Sequence, residues 1–66
     1  MQLIVNGEIR DVDGIPLLGE YLASLNLSSR MVVVERNGDI IAREKYDETP
    51  LVHGDVLEIV QMMAGG

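Results

Sequence analysis

The stretch MQLIVNGEIRDVDGIPLLGEYLASL, residues 1–25, decides the fold of this chain. From Met1 to Asn6 the residues alternate between two faces, one of them apolar, which is the pattern of a strand packed on one side. Asn6-Gly7 is the strongest short signal for a β-hairpin, because both residues tolerate positive φ. A second strand is therefore predicted over Glu8 to Val12.

A helix is predicted to follow this hairpin. Pro16 suits its first turn, where the missing N–H of proline is no loss. Asn26 suits its C-terminal end, and Gly19 weakens it by about 1 kcal/mol relative to alanine. The apolar stripe of the helix, spaced to lie on one face, consists of Leu17, Leu18, Tyr21, Leu22 and Leu25.

The rest of the chain predicts three more strands. A hairpin followed by one helix cannot bury its apolar face alone, so the later strands must join the same sheet and cover the helix. We therefore predict an α+β roll in which one main helix packs on a mixed sheet of four or five strands. The further strands are expected at Met31–Glu35, Ile40–Ile41 and Val56–Met62, with turns at Asn37-Gly38 and His53-Gly54-Asp55.

The composition restricts both the core and the partners. The chain has 66 residues and no cysteine, so we expect one domain over residues 1–66 with an aliphatic core. His53 is the only histidine and no cluster of strong ligands surrounds it, so no metal site is expected. A formal net charge of −6 disfavours nucleic acids and anionic membranes and favours a basic protein partner.

Conventional catalysis is not expected of this chain. Without cysteine and with a single histidine, the usual nucleophile–base pairs cannot be assembled, and His53 is interpreted as a turn residue. Neither a membrane span nor a signal peptide is expected, because charged and turn residues interrupt the apolar runs. These observations predict a cytoplasmic protein that is not an enzyme.

The C-terminal stretch VQMMAGG, residues 60–66, runs from a strand into two glycines, and a flexible tail is expected over about residues 62–66. One interpretation is an ordinary frayed end. The other is functional: Gly65 and Gly66 lack a Cβ, so they permit close backbone approach and leave the acyl carbon of the last residue sterically open. The residues alone leave both interpretations open.

Several motifs occur in a characteristic order along the chain. They are Met1-Gln2-Leu3-Ile4-Val5-Asn6-Gly7-Glu8, Leu17-Leu18, Tyr21-Leu22, Val32 to Gly38, Ile40-Ile41, Arg43, Tyr46, Leu51, Gly54-Asp55, Leu57-Glu58-Ile59 and Gly65-Gly66. In this order the whole chain resembles the ThiS family, the bacterial sulfur carriers of thiamin thiazole synthesis, which belong to the β-grasp (ubiquitin-like) group. The resemblance implies that fold and a protein cosubstrate rather than a catalyst.

The resemblance also implies a reaction cycle centred on Gly66. A ubiquitin-activating-like adenylyltransferase would adenylate the Gly66 carboxylate, and the ATP would be consumed by that partner, with no cofactor bound to this chain. Sulfur from a cysteine desulfurase, directly or through the activating enzyme, would displace AMP and leave a thiocarboxylate. The thiocarboxylate would then give its sulfur to thiazole synthase.

The resemblance implies roles for the neighbouring residues as well. Gly65 would provide clearance, and the face of the last strand opposite Leu57 and Ile59 is expected to be an apolar docking patch, with ordinary sheet packing or a half-covered edge as the alternative. Asp55 and Glu58 are candidates for steering a basic partner, although a solvated face explains them equally well. The residues of the expected docking region are Val60, Met62, Met63 and Ala64.

Four other functions stay open at this point. The nearest is a sulfur carrier for molybdopterin synthesis, although those chains tend to be richer in phenylalanine, which is absent here. Another is a carrier for cysteine, thioether or tRNA sulfur pathways. A ubiquitin-like modifier joined to lysine would share the tail, and a plain interaction module would carry the two glycines incidentally.

Overall fold

A computed structural model describes residues 1–62 as five strands, one α-helix and two 3-10 turns. The strands form one sheet in the order β2-β1-β5-β3-β4, in which β1 and β5 are parallel and the other neighbours are antiparallel. This confirms the predicted α+β roll with a mixed sheet. The elements are β1 (Gln2–Val5), β2 (Glu8–Asp11), α1 (Leu18–Ser24), a 3-10 turn (Ser29–Met31), β3 (Val32–Arg36), β4 (Asp39–Ile40), a second 3-10 turn (Arg43–Glu48) and β5 (Val56–Gln61).

The first hairpin forms as the sequence predicts. Leu3 and Val5 are buried under the helix, and Asn6 and Gly7 occupy the turn with φ of 50° and 82°. Because β2 lies at the edge of the sheet, all four of its residues are exposed, including Ile9. The hairpin therefore supplies the core from β1 alone.

The predicted start of the helix is wrong, because α1 begins at Leu18 and Pro16 lies before it. The chain is still extended there: the Leu18 N–H donates to the Thr49 carbonyl at 2.7 Å, and the Leu51 N–H donates to the Pro16 carbonyl at 3.0 Å. This short bridge to the distant 49–51 segment outweighs the local preference of proline for a first helical turn.

The predicted helical stripe is correct for Leu18, Tyr21 and Leu22, which are buried, but Leu25 is 41% exposed. The helix ends at Ser24, so Leu25 no longer follows the helical spacing that placed it on the buried face. Asn26 has a φ of 60° and ends the helix as predicted.

Gly19 lies where the helix packs on the second 3-10 turn, a role that helix propensity alone does not predict. It is buried, and a Cβ at this position would overlap an oxygen of the Asp47 carboxylate and lie 3.6 Å from the Tyr46 carbonyl oxygen. The glycine therefore allows the helix to approach the second 3-10 turn closely.

The middle strand is buried on one face, whereas the β-branched run suggested burial on both. Val32 and Val34 are fully buried, but Val33 is only half-buried because no element covers the outer face of the sheet in the described part of the chain. The strand begins at Val32, one residue later than predicted, because Met31 ends a 3-10 turn that Ser28 caps. Its partner β4 is correspondingly shifted to Asp39–Ile40.

The core contains one tyrosine that the periodic patterns do not reveal. Tyr46 lies in the second 3-10 turn, is 2% exposed, and donates its hydroxyl hydrogen to the Val32 carbonyl at 3.0 Å. It fills the space beside the helix and satisfies its own polar atom. The buried hydrophobic residues are Leu3, Val5, Leu18, Tyr21, Leu22, Val32, Val34, Tyr46, Leu51 and Leu57.

Among residues 1–62, no helix has the length and apolar character needed to cross a membrane.

Candidate functional site

Strand β5, the last element of the described chain, is the central strand of the sheet. It lies between β1 on one side and β3 on the other, so its backbone is hydrogen-bonded along both edges. Leu57 is buried and Ile59 half-buried on the helix side, whereas Val56 and Val60 are 39% and 58% exposed on the outer side. These are the two faces that the sequence predicts for this strand.

Both hairpin asparagines bind β5 through their side chains, a role that sequence reasoning missed. The Asn6 amide accepts from the Ile59 N–H at 2.8 Å and donates to the Ile59 carbonyl at 3.2 Å. The Asn37 amide accepts from the Val56 N–H at 2.9 Å. Each Asn-Gly pair thus forms the turn of its own hairpin, and its asparagine side chain also hydrogen-bonds to the backbone of β5. The available signal was that asparagine, rather than a second glycine, occupies both positions.

We expect Asn6→Gly to lower the free energy of unfolding by about 1–2 kcal/mol, because it removes two hydrogen bonds whose net contributions add up to about that amount. Glycine also accepts the positive φ of this position. Chemical denaturation measures the loss. Asn26→Gly is the matched control: Asn26 also has positive φ, and its side chain makes no hydrogen bond within residues 1–62. Equal losses in both variants would show that the amide contacts to β5 contribute nothing.

The structure describes only part of the predicted site. Val60 and Met62 are exposed, as a docking patch requires, with exposed fractions of 58% and 41%. The Met62 N–H donates to the Met31 carbonyl at 2.6 Å, so the chain is still attached to the sheet at residue 62. The other predicted site residues, Met63, Ala64, Gly65 and Gly66, lie outside the described residues.

The outer face of the sheet extends the exposed apolar surface beyond Val60. Ile4 pairs in register with both Ile9 and Val56, and Val33 pairs with Val60. Residues directly opposite each other on neighbouring strands point to the same face. Within residues 1–62 no helix covers this face, so its apolar side chains are available to a partner.

Asp55 neither steers a partner nor belongs to a solvated face, so both sequence interpretations of this residue are wrong. It is 5% exposed, accepts from the Val52 N–H at 2.8 Å and from the Asn37 amide at 3.1 Å, and forms an ion pair with Arg36 at 3.0 Å. Asp55 therefore closes the turn before β5 and attaches the β3–β4 hairpin to this turn. Glu58, the other acidic candidate, remains exposed on the outer face.

His53 occupies the turn that the sequence predicts, next to Gly54 with a φ of 87°. Its Nδ1 accepts from the Gln2 N–H at 3.0 Å, which uses one ring nitrogen in a structural contact. No group of three or more potential metal ligands occurs among residues 1–62. In the described chain, His53 therefore serves the connection between β1 and the β5 turn.

A shallow groove opens on the opposite, helix side of β5. Tyr21, Leu27 and Ile59 contribute apolar walls, and Arg10 lies at its rim. The Arg10 guanidinium is bound by the Glu8 carboxylate at 2.8 Å, so its charge is already balanced. This groove is therefore poorly suited to binding a phosphate, and the outer face is the better candidate for protein contacts.

The arrangement matches known proteins over its full length. The ThiS family matches residues 3–66, a range that includes both C-terminal glycines. The sulfur carrier protein ThiS of Bacillus subtilis is 47% identical over 47 residues, which are 71% of this chain and 71% of that protein. A thiazole synthase of Paramagnetospirillum magneticum is 38% identical over 66 residues, covering 100% of this chain and 20% of that protein. The chain thus spans about a fifth of the thiazole synthase that it resembles.

Solved structures show the same fold. The crystal structure of a thiamine biosynthesis protein (ThiS) from Geobacter metallireducens aligns with a TM-score of 0.84 and 38% identity, covering 100% of both chains. An NMR solution structure of a thiamine biosynthesis protein from the same organism aligns with a TM-score of 0.82, covering 100% of this chain and 88% of that chain. These similarities confirm the predicted β-grasp fold.

Proposed function

The chain belongs to the ThiS family, and from this membership we propose that it is a sulfur carrier of thiamin thiazole synthesis whose sulfur is carried on the Gly66 carboxylate. The observation that carries the proposal is that the family match extends through Gly65 and Gly66. The protein is a cosubstrate and not a catalyst: its carboxylate is consumed and regenerated in each cycle while partner enzymes perform the chemistry.

The chemistry explains why a carboxylate needs an activating partner. A carboxylate oxygen is a poor leaving group, so an adenylyltransferase first joins the Gly66 carboxylate to AMP with release of pyrophosphate from ATP. The terminal sulfur of a desulfurase-derived persulfide then attacks the acyl carbon, and AMP leaves. A thiol cleaves the resulting S–S bond, which leaves a thiocarboxylate on the carrier and a disulfide on the donor side.

Thiazole synthase is the proposed acceptor of this sulfur. A segment similar to the whole of this chain forms part of the Paramagnetospirillum magneticum thiazole synthase, which supports a direct association between carrier and synthase surfaces. The relatives that name a pathway all name thiamine or thiazole. They favour the thiazole pathway over molybdopterin and the other sulfur pathways.

The described residues would position the reactive end rather than react. Strand β5 pairs with β1 at Val56 and Leu57 and with β3 from Leu57 to Gln61, so its C-terminal end is held in the sheet by β3. Val60 and Met62 are proposed to dock on apolar surfaces of the partners, with Met63, Ala64 and Gly65 leading to Gly66. Methionine suits a surface that serves several partners in turn, because its side chain adapts to different shapes.

The intact mass of the chain tests the proposal. The chain is incubated with ATP, a sulfide source and an adenylyltransferase from a thiazole pathway, and its mass is then measured. We expect a gain equal to the exchange of one oxygen for sulfur, dependent on ATP. An unchanged mass with adenylyltransferases from the thiazole, molybdopterin and other sulfur-carrier pathways, each active on its own carrier, would overturn the proposal and favour an interaction module.

We expect Val60→Thr to slow thiocarboxylate formation about tenfold at low carrier concentration, because it places a hydroxyl in the proposed apolar contact. Threonine keeps the shape and the strand preference of valine, so the thermal midpoint should hardly change. Ile15→Thr is the matched control, since Ile15 is 75% exposed and lies outside the sheet. Equal rates for the two variants would remove Val60 from the docking patch.

A further inference from the structure

Two carboxylates face each other on the outer side of the sheet. Glu35 of β3 and Glu58 of β5 are register partners. Like charges directly opposite each other on neighbouring strands lower stability. Among residues 1–62, neither carboxylate takes part in an ion pair, whereas Glu8, Glu48 and Asp55 each have a basic partner. The chain therefore keeps an unfavourable pair at the centre of its sheet.

Apolar side chains surround this acidic pair. Val33 and Val60 form the next register pair on the same face, two residues along each strand, and Ile40 of β4 lies opposite Glu35. Val56 precedes Glu58 by two residues and is on the same face. A partner that covered these apolar groups would also remove water from both carboxylates. Such burial is unfavourable unless the partner supplies a positive charge.

We propose that Glu35 and Glu58 together bind one arginine side chain of thiazole synthase, which enters between them when the carrier docks. This inference rests on the proposed function, since it names a contact of the same docking face. A guanidinium has five donors in a planar fork, so it can serve two carboxylates at once, whereas a lysine ammonium offers a single point of charge. The net charge of −6 of the whole chain favours the same kind of basic surface.

The proposal accounts for the unfavourable pair as a determinant of specificity. In the free carrier the two charges are close to water, which limits their repulsion. In the complex the arginine neutralises them, and a partner without a cation at that position would have to bury both charges unpaired. The acidic pair therefore selects against apolar surfaces that lack a basic centre.

The test compares the double variant E35Q/E58Q with the parent chain. The dissociation constant for purified thiazole synthase is measured at low and at high salt. We expect the constant to rise about tenfold or more in the variant, since removing the charged partners of a desolvated cation is costly. We also expect its salt dependence to become shallower. The thermal midpoint should stay the same or rise, because the repulsion is removed.

The control double variant E44Q/D47N removes two acidic charges from the second 3-10 turn, which packs on the helix side and not on the outer face. Both residues are exposed and neither forms an ion pair in the described part of the chain. Similar losses of affinity in both double variants would reduce the effect to net charge and overturn the proposal. An unchanged affinity of E35Q/E58Q would overturn it as well.

The intact-mass measurement separates this inference from the proposed function. If the parent chain acquires sulfur but E35Q/E58Q binds the synthase normally, only the arginine contact is refuted. If the parent chain never acquires sulfur with any active adenylyltransferase, the carrier function itself fails. Sulfur loading of the parent chain together with weak binding of E35Q/E58Q to the synthase would support both.

Discussion

Replacing Asp55 by alanine is expected to lower the free energy of unfolding by about 2–4 kcal/mol. The substitution leaves the Val52 N–H and the Asn37 amide without their acceptor and removes the buried partner of Arg36. Arg36 is 27% exposed and regains some hydration, which keeps the loss toward the lower end of that range. A single core of this size supplies only about 3–5 kcal/mol, so the variant should be largely unfolded at moderate temperature.

Urea denaturation followed by circular dichroism measures this loss. Asp55→Asn keeps the size of the side chain and one acceptor oxygen, so it should lose less stability than Asp55→Ala. The comparison measures what the one acceptor oxygen kept by asparagine contributes, because the Val52 N–H and the Asn37 amide bind different oxygens of Asp55. A loss below about 1 kcal/mol for Asp55→Ala would show that the turn before β5 holds without this network and that the description of Asp55 as its anchor is wrong.

The elements that local chemistry controls could be predicted from the sequence. Both Asn-Gly turns, the strands beside them and the stop at Asn26 were expected, because positive φ and alternation are properties of neighbouring residues. The two faces of β5 followed from the same alternation. In each case the deciding interactions lie within a few residues along the chain.

Three features that sequence reasoning missed depend on distant contacts. The helix starts at Leu18 rather than at Pro16 because residues 49–51 bond to the segment before it. Tyr46 joins the core from an irregular polar stretch, and Asp55 is buried by the Arg36 ion pair. The periodicity of apolar residues does not predict these contacts, because each of them joins residues that are far apart in sequence and requires the sheet to form first.

The residues of the candidate site also differ in whether they could be predicted from the sequence. Gly65 and Gly66 stay predictions from chemistry and resemblance, since the tail's proposed role depends on the absence of side chains. The acidic pair on the outer face was not identified, because Glu35 and Glu58 lie far apart in sequence and meet only through the register of β3 and β5. The strand pattern predicts which face each residue occupies but not its neighbour on the next strand.

Deleting Gly66 is expected to reduce thiocarboxylate formation at least about a hundredfold, since small misplacements of a reacting group have effects of that size. The shortened chain still ends in a glycine carboxylate, so its intrinsic reactivity is unchanged. Its reach is shorter by about 3.5 Å, which withdraws the carboxylate from the activating site of the partner. The rate is measured by intact mass after incubation with ATP, sulfide and the adenylyltransferase.

The fold should survive this deletion, because the buried hydrophobic residues of the described range 1–62 all lie between Leu3 and Leu57. An unchanged thermal midpoint would show that the loss of reaction arises from the reach of the tail and not from unfolding. Gly66→Ala complements the deletion: it keeps the length and the carboxylate but adds a Cβ beside the acyl carbon, so it should react more slowly than the parent chain and faster than the deletion. A deletion variant that gains sulfur at the parental rate would show that the position of the last carboxylate is not what the activating enzyme recognises.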